Sequence, residues 1–516
     1  MCFLMGLVRH GRNRRQMGRN SFLAFDIGAE SGRALIGKLE QNRIQVQEVY
    51  RFQNSMISRG PHLKWDVHSL FREIKSGMRK SAQESQTPFE CMGIDTWGVD
   101  FGLLNQKGEL ISLPFAYRDP RNKKAMDAFL RIKSRENVYE LTGIQFLQFN
   151  SLFQLHALKT QNPEIMDHAS HLLFMPDIFN YFLTGEMATE FSYATTSQLF
   201  NPRKDGWEDQ LFEALDVPKA IMQEVRTAGH KLGLIKPSIT EETRFSPSPV
   251  VLTAAHDTAS AVAAVPAQGK DWAFISSGTW SIMGVELDSP LINEKSYQLN
   301  FTNEGGVGHR FRLSKNITGL WLLQECKKKW DQSQNRRYHE LIQEAYAAEP
   351  FKFLVDPDWE MFLKPRDMTE AIARFCQKTG QTSPENISEF VRSILESLAF
   401  KYKMVFDELC SLSRRSINRV HIIGGGSLNQ VLCQFTADAL GLPVIAGPGE
   451  ATAVGNIMIQ AMAENKMDSI ETMRDVISNS FDLRFYEPKN TEEWDENYPR
   501  FQEMCRQART GLKSQK

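Results

Sequence analysis

Asp257 stands in the run AAHDTASA, where its neighbours are small and mostly apolar. A carboxylate in such surroundings is costly to bury unless it is paired, and it suits a base that accepts a hydroxyl proton. A helix N-cap accounts for it too. The preceding His256 gives the His-Asp pair used by metal phosphohydrolases, but the further histidines such a centre needs are not spaced for it. Thr258 completes the triplet. A second chemical stretch is Asp26-Ile27-Gly28-Ala29-Glu30-Ser31-Gly32-Arg33. Its small residues let backbone N–H groups approach phosphate oxygens, and Asp26 at a strand end can hold hydrated Mg²⁺. Ser31 and Arg33 add a hydroxyl and a cation. An ordinary hairpin turn explains the same text.

Three further stretches carry groups of this kind. Ser276-Ser277-Gly278-Thr279-Trp280 repeats the small-residue turn about 250 residues later, and Gly424-Gly425-Gly426 can lie flat against a nucleobase or ribose. Gly93-Ile94-Asp95-Thr96-Trp97-Gly98-Val99-Asp100 offers carboxylates and an aromatic face, which sugar rings require; a structural Trp with a capping Asp fits equally. No G-x-x-x-x-G-K-[ST] occurs, the Gly424 run lacks the third glycine of G-x-G-x-x-G, and the H-R-D element of protein kinases is missing. If a nucleotide binds, none of those three architectures holds it.

The elements that must position these residues follow from periodicity. FLAFDIGAESGRALIGK (22–38) reads strand, tight turn, strand, with a third strand at 44–52. Asp66 caps a helix whose Val67, Leu70, Phe71, Ile74 and Met78 share one face. A buried strand is expected at 91–97, and helices near Asn150 and Pro176. The opening recurs after Pro266, as a strand at 272–276, a turn at Gly278 and a strand at 280–287. A long helix over 387–409, a strand at 420–423, a helix from about 428, a strand at 443–446 and a helix from about 451 follow. Two α/β lobes with matching openings imply a cleft between them, where ligands bind.

Length and composition agree. A chain of 516 residues exceeds one compact core and predicts two domains. We expect an extension at 1–20, a first domain at 21–265, a second at 266–490 and a tail at 491–516. The net charge of −1 gives no global attraction to nucleic acid or anionic membrane, and no apolar run is long enough to span a bilayer. Seven scattered cysteines without a C-x-x-C pair fit a reducing cytoplasm.

Twelve stretches in order, among them FDIGAESGR, KWDVHSL, GIDTWGVDFGLL, TGIQFLQFNSLFQL, HDTASAV, SSGTWSIMG, KNITGLWLLQ and IIGGGSLN, resemble the FGGY family of carbohydrate kinases over residues 21–490. The resemblance implies the two-domain α/β ribonuclease-H-like fold of actin and hexokinase, with an interdomain cleft. Its nearest members imply transfer of the ATP γ-phosphate to O1 of L-rhamnulose, with Mg²⁺. Another ketose such as L-fuculose or a pentulose, or a non-catalytic sensor on the same fold, are the alternatives. Carried onto matching positions, Asp257 is the base and Gly98, His256, Asp257, Thr258 and Asn316 meet the sugar. Ala29, Glu30, Ser31, Gly32 and Arg33 contact ATP phosphates, and Thr279, Gln324 and Gly425 contact the rest of the nucleotide. Asp26 lies near Mg²⁺, through water, and Glu30 replaces the small residue many relatives carry. A monomer or small homo-oligomer is expected, with no nucleic-acid or membrane partner.

Overall fold

The computed structural model describes residues 20–85, 87–332 and 336–510; all of the expected extension except Asn20 lies outside them. Period-two burial builds two sheets. In strand Ser21–Ile27, Phe22 and Ala24 enter a core common to both sheets, whereas Leu23, Phe25 and Ile27 enter a core on the other face. Strand Trp272–Ser277 divides likewise: Trp272 and Phe274 join the common core, Ala273 and Ile275 the opposite one. A strand apolar on both faces needs cover on both sides, and helices supply it.

The first sheet has six strands, in the order Lys231–Leu234, Pro249–Val251, Cys91–Thr96, Ser21–Ile27, Ser31–Glu40 and Arg43–Gln53. The second has seven: Thr302–Gly305, Phe311–Thr318, Trp280–Leu287, Trp272–Ser277, Arg419–Ile423, Val444–Ala446 and Arg484–Tyr486. Both use one plan. Ser21–Ile27 is antiparallel to the strand after its turn and parallel to Cys91–Thr96. Trp272–Ser277 is antiparallel to Trp280–Leu287 and parallel to Arg419–Ile423.

Helices Asp257–Ala263 and Ala451–Ala463 pack against each other in the common core. Their approach is close: a Cβ on Gly455 would lie 1.8 Å from the Ser260 carbonyl oxygen. Although Ala451–Ala463 follows strand Val444–Ala446 of the second sheet, it covers the first. Ile457 lies over Gly37, Gln460 donates to the Leu23 carbonyl, and Asn456 Nδ2 donates to Asp95 Oδ2 at 2.6 Å.

The periodic elements fall where their patterns put them, including Val67–Glu84 with Asp66 accepting from Ser69 N–H, and Ile387–Ser413. The helix expected from about 428 is Gln430–Leu440, after a 3₁₀ turn at Gly425–Leu428. The expected tail is not a loose one: helix Thr491–Thr510 sends Trp494, Phe501 and Met504 into the second lobe's core. No disulfide joins the described cysteines, and no helix among the described residues is long and apolar enough to cross a membrane.

Candidate active site in the cleft

The two turns face one cavity of about 500 Å³, within the size range of small-molecule sites. Ala29, Glu30, Ser31 and Arg33 line it from the first sheet, and Thr279 and Gly425 from the second. Gly98, His256, Asp257, Thr258 and Asn316 line it between these. Three expected residues do not reach the lining. Asp26 sits behind it, bonded to Arg33; Gly32 turns toward the Phe52 ring, where a Cβ would come within 2.1 Å; Gln324 lies on helix Trp321–Trp330. Glu30 is exposed at the edge of the cavity.

Asp257 begins its helix, and His256, not Asp257, occupies the cap position. Its Oδ1 accepts from the Thr258 N–H at 2.5 Å and the Thr258 hydroxyl at 3.1 Å, and lies 3.4 Å from His256 Nε2. Oδ2 has no partner among the described residues, and the side chain is 33% exposed, toward the cavity. A one-sided carboxylate of this kind can receive a proton from a hydroxyl in the cleft.

His256 is fixed from behind. Its Nδ1 lies 3.3 Å from the Glu304 carboxylate, the Arg312 guanidinium and the Thr196 hydroxyl. Burial works against charge on Glu304, but Arg312 and His256 overcome it and hold the carboxyl down to about 2. Arg312 is wholly buried, pairs with Glu304 at 3.0 Å, and is itself lowered by burial against that attraction. Gly98 makes room for the ring: a Cβ there would stand 3.1 Å from His256 Nε2.

Beside the first turn, Arg33 Nη2 donates to Asp26 Oδ2 at 2.5 Å and Nη1 to Glu450, across the lobes. Burial disfavours the Arg33 charge, yet Asp26 and Glu450 push its pKa up. Burial raises Asp26, with Arg33 opposing and Asp257 and Glu450 adding to the rise. Its cross-strand partner Asp95 is raised well above the ordinary range by burial and by Asp26. Among the described residues no group of three ligating side chains could hold a metal. Asp26 and Asp95 stand as cross-strand partners behind the first turn, and one or two carboxylates are what a Mg²⁺ held mainly by phosphate oxygens and water needs.

The turn after Asp95 is strained. Asp100 N–H donates to the Gly98 carbonyl at 3.1 Å, closing a three-residue turn with Val99 at φ 71°. This left-handed γ-turn is rare, and a β-branched residue at its centre is an outlier costing roughly 1–3 kcal/mol. Its surroundings over-determine it. Asp100 Oδ2 accepts from Trp65 Nε1 at 2.6 Å, Trp97 Nε1 at 2.9 Å and Tyr117 N at 3.2 Å, while Oδ1 accepts from Gln154 at 2.8 Å. Burial nonetheless raises the Asp100 carboxyl to about 6.

Residue patterns missed several groups. Gln145 Oε1 accepts from both the backbone and the side chain of Asn316, at 3.0 and 2.9 Å, and so joins the lobes in the wall of the cavity. Glu304, Arg312 and Glu450 were also unread, although Glu304 stands in the run Asn303-Glu304-Gly305-Gly306, another of the twelve stretches. The pairing of Glu304 with Arg312 across two strands becomes visible only in the register.

Comparison with known proteins agrees with this arrangement. The N-terminal domain of the FGGY family of carbohydrate kinases matches residues 21–264, and its C-terminal domain matches residues 273–464. A rhamnulokinase of Bacteroides thetaiotaomicron is 44% identical over 95% of this chain and all of its own length. One of Halalkalibacterium halodurans is 41% identical over 90% of this chain and 98% of its own. Among solved structures, a xylulose kinase of Lactobacillus acidophilus superposes with a TM-score of 0.79 at 14% identity, covering 96% of this chain and 99% of that one. Glycerol kinase of Plasmodium falciparum with ADP gives 0.75 at 15% identity, over 95% and 97%. Two matched domains, relatives alike along nearly the whole chain and a shared two-lobed fold lead to one conclusion: the chain belongs to the FGGY family of carbohydrate kinases.

Proposed function

We propose that the protein transfers the γ-phosphate of MgATP to O1 of L-rhamnulose, giving L-rhamnulose 1-phosphate and ADP. The reading is carried by the unpartnered Oδ2 of Asp257 in the wall of a cleft shared by both small-residue turns. The sugar's identity follows the rhamnulokinases that are 38–44% identical to this chain.

In this reading Asp257 Oδ2 takes the proton of the O1 hydroxyl as that oxygen attacks the γ-phosphorus. The bond from the γ-phosphorus to the bridging β–γ oxygen breaks, and ADP leaves. His256, braced by Glu304 and Arg312, binds a neighbouring sugar oxygen beside Gly98, and Asn316 binds another, held in place by Gln145. Thr258 keeps Asp257 Oδ1 occupied, so that Oδ2 does the work. Backbone N–H groups of Ala29 to Ser31 and the Arg33 guanidinium receive the phosphates, and Thr279 and Gly425 the nucleoside. Asp26 would hold Mg²⁺ through water, and the ion would supply neutralisation of phosphate charge. Phosphoryl transfer asks mainly for such positioning and charge neutralisation, and closing the lobes would keep water from the γ-phosphate.

The test is ADP release against a panel of ketoses, with and without Mg²⁺. L-rhamnulose is expected to give the highest kcat/KM; a higher value for L-fuculose or a pentulose would reassign the substrate. Ligand binding with no ADP release from any sugar would make the protein a sensor.

A further inference from the structure

We infer that Val99 is a specificity-determining residue whose branched side chain forms the apolar wall receiving the deoxygenated end of the sugar. The inference rests on the sugar-kinase reading and deepens it.

Val99 centres the left-handed turn between Gly98 and Asp100, at φ 71°. Glycine or asparagine would take this conformation with little strain, and valine is among the worst choices for it. Glycine stands next door, at 98, where the close His256 ring explains it. Nothing inside the protein explains the valine. It is 7% exposed and yet belongs to none of the hydrophobic cores among the described residues. Instead it lines the cavity. Ile144 shares that status: buried, outside every core, and lining the cavity. The hydrogen-bonding groups of the same cavity are His256, Thr196, Gln145 and Asn316, and Trp97, Leu147 and Phe149 add further apolar lining.

The turn cannot relax away from the cleft. The Val99 carbonyl accepts from the Ser151 hydroxyl at 2.6 Å and from Gln154 at 3.4 Å, in addition to the four donors on Asp100. A strained, braced turn that places a branched apolar residue in the wall of a pocket also lined by hydrogen-bonding groups matches a ligand with hydroxyls along most of its length and a methyl at one end. L-rhamnulose is such a ligand, and L-fructose is the same ketose with a hydroxyl on that carbon. Strain held at a binding site for a ligand's benefit has a signature: relieving it stabilises the protein and harms selectivity.

The experiment compares the full chain with Val99→Asn and Val99→Thr. Asparagine tolerates the left-handed turn, so Val99→Asn is expected to melt at a higher temperature than the parent. Threonine keeps the branch and the strain but replaces a methyl by a hydroxyl, so its melting temperature should match the parent's. In both variants the ratio of kcat/KM for L-rhamnulose to that for L-fructose should fall by about tenfold or more, the scale of one apolar contact in a pocket. If Val99→Asn does not fold, Val99→Thr decides alone. A parent enzyme active on L-rhamnulose, with variants that keep its selectivity within about twofold, would overturn the role of Val99 alone. A parent that turns over neither ketose would overturn the sugar-kinase reading and this inference together.

Discussion

The two turns that face the cleft stand at matching places in the two sheets but differ by one residue in length, and they differ in chemistry. Gly28 N–H donates to the Ser31 carbonyl at 2.9 Å, and Gly278 N–H to the Trp280 carbonyl at 2.8 Å, each at the end of a matching strand. Around the first stand Asp26, Arg33, Glu450 and, behind them, Asp95. Around the second stand hydroxyls and bare backbone. Tyr402 bonds Ser281 at 2.7 Å, Gly426 packs on Ser277, and helix Trp321–Trp330 starts on the Gly278 and Thr279 carbonyls. Duplicated backbone supplies two cradles of N–H groups. The side chains then differ, with titratable groups around the first turn and neutral ones around the second; in the proposed reaction the first would face the phosphates and the second the nucleoside.

The largest effect should come from the charged side. Asp257→Asn is expected to lower kcat by about 10²–10⁴-fold while leaving ATP affinity and melting temperature near the parent's. Near-normal turnover in the ADP-release assay would remove Asp257 from the chemistry.

Arg33→Gln should cost less, about 10²-fold in kcat/KM for ATP, as expected for losing a charge-assisted contact. It should also alter stability against pH. Burial holds Asp26 above its ordinary 3.8, so its contribution to stability is complete below that value and is lost as pH rises through the folded one. Without Arg33 the folded value climbs further, and the variant should lose more stability than the parent as pH rises above that ordinary value. Parallel melting curves above it would mean that the two residues are not coupled.

On the neutral side Gly426→Ala should barely change kcat. Its Cβ would meet Ser277 Oγ at 2.0 Å, so it should cost about 1–3 kcal/mol of stability by overpacking. That loss should be the same at every pH from roughly 5 to 8, because no group there titrates in this range; Tyr402 is raised by burial to about 12. A pH-dependent loss would break the contrast between the turns.

Much of this was legible in the sequence, for physical reasons. The strand–turn–strand openings carry period-two apolar residues ended by glycine, and the helix at Val67–Glu84 has both its cap and its stripe. The site residues could be gathered because each sat in a quoted motif. What could not be read depends on distance in space. Gln145 matters because a strand about 170 residues later brings Asn316 to it, and Glu450 because Arg33 reaches it across the lobes. Asp257 was weighed as a helix cap, yet capping needs only position, and the neighbouring His256 took it. The strain at Val99 has no sequence signal; valine reads as a strand residue until its φ is known.

Helix Ala451–Ala463 sets a timetable for synthesis. The strands it covers end at Val251, so the ribosome must add about 200 more residues, some 10–40 s at usual elongation rates, before the first sheet receives its lid. Until then Ala24 and Gly37 face water or a chaperone, and Asp95 lacks Asn456. The first sheet's cover is therefore made by the second half of the chain, and in a protein split near residue 265 the first piece alone is expected to leave that face of its sheet open.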